Sequence, residues 1–201
     1  MQRNFRIASC LCCLLILSAV PAGCGGGHKN YYDPSYTERF YTPEKIHIRP
    51  GLIQKPEFEI CKEVTVLNIQ GRDEMVPIGA YTHKWYGNFH QWTDAAVGVA
   101  RMELENRGVV LTARAPKVLR LAVIKAELFW EFRQVECRLN LQVITGDGYV
   151  INFDASSKST DLYDACDSAV TRAVADMFDH DAVRDYLTCP EMTEDDCRPC
   201  P

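Results

Sequence analysis

The chain has 201 residues, of which 47% are hydrophobic and 24% charged, with a net charge of −5. This composition excludes a low-complexity or disordered polymer, and the acidic balance without a basic stripe excludes a nucleic-acid partner. The length suits one domain with a true core plus short extensions.

At the N terminus, Arg3 and Arg6 precede the apolar run Ile7 to Val20, and Ala22-Gly23-Cys24 and three glycines follow. A basic start, an apolar stretch too short to span a bilayer and small residues before a cleavage point are what a secretory signal peptide requires. The succession of signal, small pair, cysteine and glycine resembles the lipobox of bacterial lipoproteins. That resemblance implies cleavage after residue 23 and an acylated Cys24 as the first mature residue. Gly25, where that family carries aspartate for inner-membrane retention, implies the periplasmic face of the outer membrane. An ordinary signal cut near Ala22 is the alternative; it leaves Cys24 a plain thiol and the protein in the soluble periplasm, and retention at the inner membrane is another. Losing Arg3 and Arg6 with the signal takes the net charge from −5 to −7.

Residues 24–58 have no sustained apolar period, several prolines and scattered aromatics (Tyr31, Tyr32, Tyr36, Phe40, Tyr41), and read as a lipidated extended tether whose aromatics pack on the folded body, with engagement of a partner as the alternative. The domain proper spans 59–188, followed by a cysteine-rich tail, 189–201. Its first element is the β-branched run Glu63 to Ile69, a buried strand. A long connection, 73–92, follows. Ala96, Val97, Ala100 and Leu104 then recur at helical spacing, with Thr93 or Asp94 near the start and Gly108 just past the end.

After Pro116 the period changes to two. Ile124, Ala126, Leu128, Trp130 and Phe132 alternate with polar residues, Cys137, Leu139, Leu141 and Val143 continue the alternation, and Gly146-Asp147-Gly148 turns the chain into Tyr149, Ile151 and Phe153. Ser159 to Asp164 mark a second helix start. Its apolar stripe is Leu162, Cys166, Ala169, Val170, Ala173, Val174 and Met177; Asp179 to Asp181 interrupt it before Val183, Tyr186 and Leu187. The expectation is an α+β two-layer sandwich: a mainly antiparallel sheet of about four strands with two helices on one face, in the order β-α-β-β-β-α.

This order, the lipobox-like start and the stretch from Gly71-Arg72 to Ile78-Gly79 resemble the YajG-type bacterial lipoproteins over roughly residues 60–187 and, more distantly, the lipoprotein partner of the lipopolysaccharide-transport barrel. The resemblance implies a non-enzymatic envelope protein that works by binding, and it carries over no functional residue.

The candidate binding surface is the aromatic concentration Tyr81, His83, Trp85, Tyr86, Phe89, His90 and Trp92, because Trp and Tyr supply large contact area at low entropic cost; burial over an open end of the core is the competing role. His83 and His90 lie seven apart and fit no compact metal motif, so no metal and no cofactor is expected. With Cys24 taken by lipid, Cys61, Cys137, Cys166, Cys189, Cys197 and Cys200 form an even set in an exported protein and are candidate disulfide cysteines. Cys137 and Cys166 point into one layer and either pair or stay as thiols. Cys61 is positioned to hold the C-terminal tail if the first strand lies beside the last helix.

No nucleophile elbow, phosphate loop or metalloprotease helix is present, so no enzyme is expected. The leading functional expectation is a membrane-anchored periplasmic lipoprotein, a non-catalytic accessory or scaffold in envelope assembly, held to the membrane by its lipid and engaging an envelope protein. The alternatives are a small-molecule or lipid carrier with a pocket lined by Trp130, Phe132 and Met177, and a divergent hydrolase.

Overall fold

The computed structural model describes residues 38–41, 60–71 and 75–189, all within the unit Pro34–Pro201. The elements in chain order are β1 (Glu38–Tyr41), β2 (Glu63–Asn68), β3 (Met75–Ala80), β4 (Lys84–Asn88), α1 (Phe89–Asn106), β5 (Val110–Leu111), β6 (Lys117–Glu131), β7 (Gln134–Thr145), β8 (Val150–Ser159), α2 (Leu162–Asp179) and α3 (Asp181–Leu187). The fold is α+β. Its strands form a five-stranded sheet, β5-β2-β6-β7-β8, and a three-stranded sheet, β1-β4-β3.

The expected β-α-β-β-β-α series is present as β2, α1, β6, β7, β8 and α2, but four strands and one helix join it, and the large sheet is mixed. Only β6-β7-β8 is an antiparallel meander; β2 runs parallel to both β5 and β6. The reason is the crossover. The chain leaves β2, passes through the small hairpin and α1, and re-enters the sheet in the same direction, which a parallel neighbour requires. α1 packs on β2 and β6, α2 on β7 and β8, and the two helices touch each other.

The start of α1 differs from its sequence signal, and that of α2 falls within the signal at Ser159 to Asp164. Asn88 caps α1, its side chain accepting from the Gln91 N–H at 3.1 Å, so the helix begins ahead of Thr93. Thr93 is instead buried: its hydroxyl donates to the Phe89 carbonyl and accepts from the Val123 N–H at 2.9 Å, tying α1 to β6. Asp161 caps α2, accepting from the N–H groups of Tyr163 and Asp164.

A bulge in β6 between Val123 and Lys125 shifts the alternation by one residue. Leu119, Leu121 and Val123 face the helices before it, Ala126 and Leu128 after it, and Ile124 is left exposed instead of inward. Phe132 is likewise outside the buried face: it sits in the β6-β7 turn, 93% exposed.

Residues read as tether contribute to the body. β1 pairs parallel with β4, and Tyr41 at its end is fully buried, its hydroxyl donating to Asp167 of α2 at 2.8 Å. Burial above all, with the adjacent Cys166 thiol and the Asp167 carboxylate, pushes the Tyr41 hydroxyl far up, so it stays a donor.

The small sheet docks on β6 at Gly79. A β-carbon there would lie 2.8 Å from the Leu128 carbonyl oxygen and 2.8 Å from the Trp130 ring. Only a residue without one permits this approach. Gly79→Ala is expected to cost about 1–3 kcal/mol, read as a lower urea midpoint. Gly71→Ala is the control, because nothing lies within 4 Å of its added methyl, and it should leave the midpoint unchanged.

Candidate functional site

The aromatic connection expected to be one irregular loop is a hairpin plus a helix start, and the fold divides its side chains three ways. Trp92, on α1, is fully buried with its ring edge-on to Tyr41 at 5.2 Å, and its indole nitrogen has no hydrogen-bond partner among the described residues. Phe89 is half-buried against the core. Both belong to the interior and leave the candidate surface.

His90 joins a polar clasp at the end of β2. Its Nδ1 lies 3.2 Å from the Gln70 carbonyl oxygen and its Nε2 3.5 Å from Asp94, while the Asn68 amide donates to the His90 carbonyl and to Asp94. His83 lies at the hairpin, its ring 6.5 Å from that of Trp85. The two histidines therefore serve different neighbourhoods. Among the described residues no three His, Cys, Asp or Glu side chains form a group able to hold a metal ion.

The remaining residues converge. Tyr81 is 62% exposed and stacks on Trp130 with ring centres 6.1 Å apart, and Trp85 lies on Trp130 at 6.3 Å. Arg39 of β1 sits over Trp85 at 5.9 Å, and beside it Phe40, 59% exposed, meets Tyr86 at 5.9 Å. Two residues beyond Trp130, Phe132 projects from the turn with Arg133 over its ring at 5.2 Å. The result is an aromatic end: the half-buried Trp85/Trp130 pair carries exposed Tyr81, and Phe132 projects from the adjoining turn; Phe40 and Tyr86, one position along each strand from Arg39 and Trp85, lie on the other face of the small sheet. Arg39, Trp130 and Phe132 are additions that sequence reading did not assign to this surface, because β1 had no periodicity and β6 reads as core.

The open face of the large sheet holds a shallow concavity of about 400 Å³ lined by Lys125, Glu127, Glu136, Arg138, Asn140 and Asp154. Its charges answer one another: Arg138 donates to Glu136 at 2.9 Å, Lys125 pairs with Glu127 at 2.9 Å, and the Asn140 amide donates to Asp154 at 2.6 Å. Arg138 first, and Lys158 after it, hold the Glu136 carboxyl below its ordinary range. This is a self-paired polar face of the kind an antiparallel sheet turns to water.

The carrier pocket is not assembled. Met177 is fully buried on α2 while Phe132 is in the solvent-facing turn. The cysteines divide as well. Cys61 and Cys189 are disulfide-bonded with Cα atoms 5.0 Å apart, beside the Ile60–Thr188 bridge and the bond from the Cys61 N–H to the Leu187 carbonyl. Cys137 and Cys166 are buried thiols, not a disulfide. Burial, followed by the neighbouring Cys137 thiol, pushes Cys166 well above the usual thiol range. Cys24, the signal segment 1–23, Cys197 and Cys200 lie outside the described residues. Among the described residues no helix is long and apolar enough to cross a membrane.

No protein-family model and no curated protein sequence matches the chain.

Two measurements check this account. Because the folded state lowers the Glu136 pKa, its ion pairs stabilise the protein fully above pH about 4.5, and the contribution disappears as pH falls through the folded value. Urea midpoints from pH 6 to pH 3 should therefore fall less steeply for Glu136→Gln than for the parent. Iodoacetamide with peptide mapping should leave Cys137 and Cys166 unlabelled in the native protein and label both after denaturation; native labelling would contradict their burial.

Proposed function

We propose that this chain is a lipid-anchored, non-catalytic binding module of the bacterial cell envelope that meets its target through the aromatic end of the small sheet. The observation that carries the reading is that Tyr81 and Phe132 are 62% and 93% exposed, Tyr81 on a base of stacked tryptophans and Phe132 at the turn two residues beyond Trp130. Apolar area of this kind, rimmed by polar residues, marks an interaction site.

Two further points favour binding over chemistry. The carboxylates of the polar concavity are engaged by its own groups, Glu136 by Arg138 and Lys158, Glu127 by Lys125, and Asp154 by the Asn140 amide. Tyr41 and the Cys166 thiol are fully buried in the core, Tyr41 held by the half-buried Asp167, away from any space a substrate needs. The Cys61–Cys189 disulfide suits an oxidising compartment such as the periplasm, where such bonds persist.

Lipid attachment at Cys24 is the part of this proposal that sets location. An acyl chain is worth about 0.8 kcal/mol per buried methylene, so one chain holds marginally and two or more hold essentially for good. Cys24→Ser should move the protein from the membrane to the soluble fraction, and intact-mass analysis of the parent should show an acylated first residue. An unmodified N terminus on mature protein overturns the anchor. For the surface, Tyr81→Ser combined with Phe132→Ser should leave the thermal midpoint within about 2 °C, since surface substitutions usually stay within ±0.5 kcal/mol. The same pair should abolish recovery of the target after crosslinking in cells; unchanged recovery would sink the assignment.

A further inference from the structure

We propose that the target of the aromatic end is the bilayer itself: Phe132 and Tyr81 enter the headgroup region while Arg39 and Arg133 meet lipid phosphates, so the folded body lies on the membrane. This inference rests on the binding reading above and supplies its partner. The membrane-facing elements are the β6-β7 turn, the tip of the β3-β4 hairpin and β1.

The chemistry of the patch is that of a membrane–water interface. Tyr and Trp present an apolar ring with a polar handle, which favours the boundary over both water and hydrocarbon. Trp85 and Trp130 are half-buried, Tyr81 is stacked on Trp130, and Phe132 at the tight turn is the most exposed large apolar residue among those described. A protein–protein anchor of the same composition fills a pocket near the centre of a flat interface. Here the largest apolar group sits at a projecting turn between two long strands, the shape of a wedge.

The charges point the same way. Arg39 lies over Trp85 and Arg133 over Phe132, so each cation stands beside an aromatic group, and Lys84 adjoins on β4. Of the neighbouring acids, Glu131 is paired with Lys158 at 2.8 Å, while Glu38 accepts from the Tyr86 hydroxyl at 3.4 Å and keeps its charge. On a chain of net charge −5, Arg39 and Arg133 give this end two cations that complement an anionic lipid surface.

Chain length makes the contact reachable. Fourteen residue steps separate Cys24 from Glu38, the first residue of β1, and they span at most about 50 Å. The strand that the tether enters is the one that carries Arg39 and Phe40. A lipid at Cys24 therefore delivers this end of the body, and not the polar sheet face, nearest along the chain to the bilayer.

The test uses residues 24–201 with Cys24→Ser, which contain every described residue and carry no acyl group. Vesicles of phosphatidylethanolamine and phosphatidylglycerol are the probe, with co-sedimentation and tryptophan emission as readouts. Binding with a blue shift from Trp85 and Trp130 is expected. Phe132→Ala should weaken partitioning about 10-fold or more, and Arg39→Gln with Arg133→Gln should remove the preference for phosphatidylglycerol. Phe132→Ala should leave the thermal midpoint unchanged, separating the effect from unfolding. No vesicle binding, binding indifferent to both variants, or capture of an envelope protein by Tyr81 crosslinking without vesicle binding would each overturn the proposal. The anchor is judged separately by intact mass. An acylated Cys24 with a body that ignores vesicles leaves the anchor and removes this inference; an unmodified Cys24 with vesicle binding does the reverse.

Discussion

β6 is fifteen residues long and β2, its neighbour on one side, is six. Pairing between them ends at Asn68 opposite Leu121, so beyond that point β6 has a β7 partner on one side and an uncovered edge on the other. Such an edge carries unpaired backbone groups and, here, the apolar Leu128 and Trp130, a combination that invites aggregation unless it is covered. The rest of the small architecture answers this mismatch. Thr93 takes the Val123 N–H, Gly79 lets the β3 backbone come down on Leu128, and Trp85 closes over Trp130. Tyr41 then fastens β1 to α2 through Asp167 and to Trp92 by ring contact. The three-stranded sheet is thus a cover for a strand that outruns its sheet, and its outer surface is what that cover presents to the surroundings.

This explains which parts of the fold were legible. β6, β7, β8 and both long helices satisfy their hydrophobic partners within one element, so period 2 or period 3.6 is written along them. β3 (MVPIGA) and β4 (KWYGN) do not: they hold Pro, Gly and aromatics, and their burial comes from β6, about fifty positions away, and from β1, forty-six positions away. Nothing local distinguishes them from a loop. β1 buries a single residue, Tyr41, and β5 is two residues long, so neither has a period to detect. The bulge at Val123/Lys125 defeated parity for Ile124, because alternation says which residues share a face only while the register is unbroken. The aromatic group was visible as a concentration, but not its division into Trp92 and Phe89 inside and Tyr81 outside, since that depends on where α1 starts, and Asn88 starts it earlier than Thr93.

The cysteines show how one residue type takes two roles by geometry. Cys61 precedes β2 and Cys189 follows α3, and the Ile60–Thr188 bridge brings these two ends of the described domain together. The disulfide encloses a separation of 128 residues, so it restricts the unfolded chain across nearly the whole domain, worth about 2–4 kcal/mol in typical cases. Cys137 and Cys166 face each other across the sheet–helix layer, where water and oxidants do not reach and where a small apolar group is what packing requires. Parity along β7 and the stripe of α2 were enough to place them in that layer. Whether two such residues bond is decided by the separation of the layers, which no sequence pattern encodes.

The anchor and the aromatic end are of unequal strength, and that inequality gives the proposed arrangement its logic. Free in solution, a patch of a few aromatic side chains and two or three cations binds a surface weakly. Tethered as proposed, the same patch would face the bilayer at an effective concentration in the millimolar range, so a weak contact would be occupied most of the time without becoming permanent. In the proposed arrangement the tether would turn a marginal affinity into an orientation, with the β6-β7 turn held down and the self-paired face of β6-β7-β8 turned elsewhere. That orientation is reversible at small energetic cost, because releasing one Phe and one Tyr from the interface leaves the disulfide, the Gly79 junction and the Tyr41–Asp167 bond untouched. A second macromolecule competing for the same aromatic groups would lift the body from the surface without unfolding any part of it, and membrane and partner would then be alternatives at one site, not two independent contacts.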